Sequence, residues 1–119
     1  AATGSAALTW FGIFSMVILT PIAEECFFRG WIWSKIESAG GPLRACLWTG
    51  FLFWIVHAPY LLLGAVSKSL AANFFMIIPM TIAMSWLRLR CGSMRASLAL
   101  HILQNFLAIV PGQILRLVS

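Results

Sequence analysis

Two adjacent carboxylates, Glu24 and Glu25, lie in the run Ile22-Ala23-Glu24-Glu25-Cys26-Phe27-Phe28-Arg29, and Glu37 is the only other acidic residue in the chain. An ionisable side chain at bilayer depth costs roughly 2.5–3.5 kcal/mol even on lenient insertion scales. Two neighbouring like charges also resist joint ionisation. Such a pair requires partners and a polar cavity. Glu25 and Arg29 stand four apart, on one helical face where they can pair. Glu24 projects about 100° away from that face. The spacing divides the labour, with Glu25 neutralised along its own helix and Glu24 available for proton transfer. The two histidines follow: His57 four residues after Phe53, and His101 four residues before Asn105, so that His101 and Asn105 share a face.

The elements that must position these groups belong to a membrane protein. Of the 119 residues, 61% are hydrophobic and 9% charged, against roughly 45–50% and 25% in soluble domains. Mean hydropathy is +0.95. A soluble domain of this size has too little interior to hide so much apolar surface. Disorder, a collagen-like repeat and a nucleic-acid module are excluded, and the eight basic residues are scattered rather than striped with aromatics. The expected fold class is all-α, a polytopic transmembrane helix bundle with about four helices.

Four apolar stretches carry that reading. The first runs from Ala6 to Ser34, interrupted by Pro21 and the charged patch. The second covers Leu43 to Val56, and the third Leu70 to Leu87 with a kink at Pro79. The fourth spans Ala96 to Val110, where Pro111-Gly112 stops it and leaves the tail from Gln113 unassigned. Gly40-Gly41-Pro42 and Cys91-Gly92-Ser93 are turns. Residues 1–119 read as a single membrane-embedded domain. Because the chain opens at Ala1 without a Met, it also reads as an excised segment of a longer protein.

Alternating spans place Lys35, Arg44, Arg88, Arg90 and Arg95 on one side and Lys68 and Arg116 on the other. That excess marks the first side as cytoplasmic. At 1.5 Å per residue, Glu24 lies about 16 Å from Lys35, His57 about 20 Å from Arg44, and His101 and Asn105 about 9 and 15 Å from Arg95. The polar groups of three spans can therefore meet in one layer inside the membrane. The aromatics Trp31, Trp33, Phe51, Trp54, Phe74 and Phe75 read as lipid-facing or belt residues. Cys26, Cys46 and Cys91 are odd in number and far apart, which argues against a disulfide framework.

Elimination narrows the chemistry. There is no aspartate for an aspartyl protease, and no His-Glu-x-x-His for the usual metalloprotease. Ser97 and His101 stand four apart, but without a glycine-flanked serine elbow. A Cys26 nucleophile beside two glutamates would have its thiolate disfavoured. What remains suits an activated water, with Glu24 as general base alongside His57. His101 and Asn105 are then donors to the tetrahedral oxyanion, and Glu25 and Arg29 fix the geometry. A metal site of two histidines and two glutamates uses the same residue types and stays open. A proton-relay or transport protein, and a catalytically silent one, are the other readings.

The ordered trio Glu24-Glu25-x-x-x-Arg29, Phe53-x-x-x-His57 and His101-x-x-x-Asn105 resembles the CPBP family, also called Abi, of CAAX prenyl proteases and bacteriocin-processing enzymes. The resemblance covers Pro21 to Asn105 and implies a helical intramembrane glutamate protease with no cofactor, although zinc has also been assigned to the family. It implies Glu24 as the base activating water with His57, His101 and Asn105 as the oxyanion site, and Glu25 and Arg29 as supports. Its implied partners are the lipid bilayer and a peptide or protein substrate, prenylated in the best-characterised members. The short loops suggest a bacterial or archaeal membrane.

Overall fold

The computed structural model describes residues 10–63 and 68–119 of the chain; residues 6–9, which the hydropathy pattern includes in the first stretch, and the side chain of Lys68 lie outside the described residues. Helix α1 is Trp10–Gly40, 31 residues without a break. Neither Pro21 nor the charged patch interrupts it, contrary to the expectation from sequence. The reason is a change of register: two segments of α1, Ser15–Leu19 and Cys26–Ile32, are wound as π-helix. In the first, the Thr20 N–H bonds Ser15 O, five residues back. Pro21, with no N–H to donate, then enters α-helical geometry at one of its first positions, where a donor is least missed.

Gly41, at φ +86°, ends α1, with its N–H bonded to Glu37 O at 2.8 Å. Pro42 starts α2, Pro42–Ile55. A five-residue helix, α3 (Pro59–Leu63), precedes α4 (Lys68–Cys91), which contains Pro79. Gly92, at φ +67°, closes α4 by bonding Arg88 O. Helix α5, Arg95–Val118, runs through Pro111-Gly112 rather than stopping there, so the tail from Gln113 is helical to Val118. Pro111 removes one amide donor, whereas ending the helix inside an apolar phase would strand several backbone groups. Continuation costs less.

Helix α4 is central, packing against α2, α3 and α5, while α5 also lies along the first half of α1. Among the described residues, three helices are long and apolar enough to cross a membrane: α1, the Ala71–Cys91 part of α4, and α5. Helix α2, at 14 residues, is about 21 Å long. Most large apolar side chains, among them Trp31, Phe51, Phe75 and Trp86, face outward, as they do towards lipid. Trp33 and Phe74 depart from the belt expectation and are buried. The interior carries Glu25, Arg29, Thr49, Thr81, Ser85, Ser97 and His101 beside a small apolar core of Phe28, Phe53 and Met84. Lipid supplies no hydrophobic drive between helices, so close packing and interhelical hydrogen bonds hold such a bundle together. The protein is an integral membrane protein of the all-α class. Cys26, Cys46 and Cys91 are free thiols.

Gly50 sets how closely α2 and α4 approach. A Cβ there would lie 3.2 Å from Ser85 Oγ and 3.8 Å from Thr81 Oγ1. Gly50→Val is expected to lower stability by about 1–3 kcal/mol through overpacking, measured by unfolding in detergent.

Candidate active site

Four pairs of residues, each spaced i to i+4 and three of them within a single helix, interlock across the bundle. On α1, Arg29 Nη1 donates to Glu25 Oε1 at 3.0 Å, and both side chains are fully buried. On α4, Thr81 and Ser85 receive the other end of the guanidinium: Nη2 lies 3.0 Å from Thr81 Oγ1, 3.2 Å from Ser85 Oγ and 3.4 Å from Thr81 O. Thr81 Oγ1 in turn donates to Gly50 O on α2 at 3.0 Å. On α5, Ser97 Oγ donates to Glu25 Oε2. His101, one turn on, approaches Glu25 Oε1 through Nδ1 at 3.1 Å. Glu25 thus has both oxygens engaged. The fourth pair, Phe53 and His57 on α2 and the turn that follows it, places an aromatic ring at the centre. Phe53 lies 4.4 Å from Arg29 Cζ, with ring centroids 4.9 Å from His57 and 5.5 Å from His101.

Glu24 is placed differently from its neighbour. Its side chain retains 29% exposure, and Oε2 lies 3.4 Å from His101 Nε2. His101 therefore stands between the two carboxylates, one at each ring nitrogen. Because Glu25 is held by a buried arginine, His101 Nδ1 is the donor to it, and Nε2 is the nitrogen presented to Glu24. His57 is oriented by its own helix, with Nδ1 2.6 Å from Phe53 O. A carbonyl only accepts, so Nδ1 carries the proton and Nε2 is the acceptor nitrogen of the ring.

Glu24, His57, His101 and Asn105 line one cavity of about 380 Å³, together with Asn73 and Gln104. Asn105 reaches it by way of the π-wound segment of α1. In that register Met16 O would take its hydrogen bond from residue 21, which is a proline. Asn105 Nδ2 supplies it instead, at 2.8 Å. One amide hydrogen of Asn105 remains for the cavity. A second cavity of about 400 Å³ between α2 and α4 is lined mainly by apolar side chains, with the Cys46 thiol and the Thr81 and Ser85 hydroxyls among them. The polar cavity is where chemistry can occur.

Four of the six residues singled out from sequence, Glu24, His57, His101 and Asn105, line this cavity. Glu25 and Arg29 lie behind it, Glu25 bonded to His101 and Arg29 stacked on the Phe53 ring. Spacing did not single out Thr81 and Ser85, and it raised Ser97 only as a nucleophile; Asn73 and Gln104 were also missed. Hydroxyls four apart on α4 were the available signal. A zinc centre needs three or four converging donors. Among the described residues no group of three or more His, Cys, Asp or Glu side chains is placed to hold a metal, so the side chains present do not fit one.

Fold and site together define a polytopic helical membrane protein whose ionisable residues surround an internal cavity. Residues 6–107 match the family model of type II CAAX prenyl endopeptidase Rce1-like proteins. The chain belongs to that family, which is one of membrane endopeptidases of the CAAX-protease type. No curated protein and no solved structure matches the chain.

Proposed function

We propose that the protein hydrolyses a peptide bond within the membrane by a metal-independent mechanism in which Glu24 activates water. The observation that carries this reading is the unequal placement of the two carboxylates. Glu25 is spent on Arg29, Ser97 and His101, whereas Glu24 opens onto the polar cavity. Glu24 takes a proton from water as the oxygen adds to the scissile carbonyl carbon. His57, through Nε2, assists in holding that water. His101, protonated on both ring nitrogens between the two carboxylates, donates from Nε2 to the oxyanion together with the remaining Asn105 amide hydrogen. Glu24 then returns its proton to the departing amine nitrogen as the C–N bond breaks. Substrates are peptides or proteins carrying a C-terminal CAAX sequence with a prenyl group, as the family description suggests.

The test is cleavage of a prenylated CAAX peptide by the purified full-length protein. Activity is expected to survive exhaustive chelation, with no stoichiometric zinc by elemental analysis. Loss on chelation and recovery on adding zinc would sink the glutamate mechanism. An inert wild-type protein, tested against prenylated peptides and bacteriocin leaders alike, would instead mark it as catalytically silent.

A further inference from the structure

The sequence motifs place Glu25 and His101 on different helices and provide nothing that fixes one against the other. Ser97 supplies it. This side chain is fully buried on α5, one helical turn before His101. Its hydroxyl has one proton and two acceptors in reach, Glu25 Oε2 and, at 3.2 Å, the Met94 carbonyl of its own helix. A bond to an ionised acceptor is roughly twice as strong as one to a neutral acceptor, so the proton goes to Glu25.

A carboxylate with a single partner can rotate about its last torsion. Glu25 has Arg29 and His101 on Oε1 and Ser97 on Oε2, and three partners from two helices leave one orientation. We infer that Ser97 is a positioning residue of the active site: its hydroxyl locks the Glu25 carboxylate so that Oε1 receives the His101 Nδ1 proton and Nε2 is presented to Glu24. Ser97 is fully buried and does not line the polar cavity. It acts through Glu25 on the tilt of His101 and on the hydrogen bond at its Nδ1, in the manner of an outer partner that orients a working imidazole. The inference rests on the reading of His101 as an oxyanion donor.

Ser97→Ala removes one oxygen from a helix interior and substitutes the best helix former, so the bundle keeps its fold. A displaced catalytic group costs up to about 100-fold in rate. The kcat for the prenylated peptide is expected to fall about 10- to 100-fold, with KM unchanged within about twofold, because substrate contacts are untouched. The second readout needs no substrate. In the full-length protein labelled with ¹⁵N-histidine, the His101 resonances are assigned by difference from a His101→Gln sample. The wild type is expected to show a protonated, strongly hydrogen-bonded Nδ1, and Ser97→Ala to move that signal towards a weaker hydrogen bond.

Wild-type kcat and an unmoved Nδ1 signal in Ser97→Ala would overturn the inference. A moved signal with lost kcat supports it. Should the wild type cleave nothing, the functional reading falls by itself, and the nitrogen signal still decides whether Ser97 fixes the ring.

Discussion

Glu24→Gln is expected to reduce peptide cleavage by about 10²–10⁴-fold, the usual worth of a positioned general base, while the protein stays folded in detergent. The two halves of this expectation have separate physical causes. Glutamine keeps the shape of the side chain and a carbonyl oxygen opposite His101 Nε2, now 3.4 Å from Glu24 Oε2. It has no lone pair basic enough to take a proton from water. Folding is spared because Glu24 is partly exposed to a cavity, and its contact with His101 on α5 is kept by the glutamine oxygen. The measurement is the rate on a prenylated CAAX peptide, paired with the unfolding temperature. Wild-type turnover in the variant would remove Glu24 from the chemistry.

Arg29→Met reverses that pattern, with the loss appearing in stability. Arg29 and Glu25 are both fully buried and pair at 3.0 Å. Removing one partner strands a charge in a medium that cannot solvate it, which costs about 3–5 kcal/mol. The guanidinium also ties α1 to Thr81 and Ser85 on α4 and covers the Phe53 ring, so packing is lost as well. Unfolding in detergent measures the fall. Adding Glu25→Gln to Arg29→Met is expected to recover part of it, because the stranded charge is then gone. A double variant no more stable than Arg29→Met would show that the loss lies in packing rather than in the unpaired carboxylate.

Much of this arrangement was legible in the sequence because helical spacing reports faces directly. Glu25 and Arg29 four apart predict the pair that is observed, and ionisable residues within apolar spans predict a polar interior. The hydroxyls that complete the arrangement were not legible. Thr49 and Thr81 look alike in sequence, yet Thr49 Oγ1 donates to Ala45 O within its own helix at 2.7 Å, whereas Thr81 Oγ1 reaches Gly50 O across helices. Only the packing angle separates the two cases. Local rules also failed at proline. Pro21 and Pro111 read as breaks from propensity measured in water, but a helix in lipid has no solvent to receive its freed carbonyls, and it continues. At Pro21 the cost is met by a π-wound turn and by Asn105, whose amide serves Met16 O. That link depends on a change of winding that no residue pattern announces.

The shortness of α2 decides what kind of backbone carries His57. A hydrocarbon slab about 30 Å thick is deeper than the roughly 21 Å this helix spans. Its last turn gives way at Val56–Ala58, beside the imidazole of His57. The amides of that turn nonetheless stay paired within the chain, Val56 N–H to Leu52 O, His57 N–H to Trp54 O and Ala58 N–H to Ile55 O. The truncation therefore seats His57 on a closed turn at a helix end, lining the polar cavity, rather than along the wall of a span.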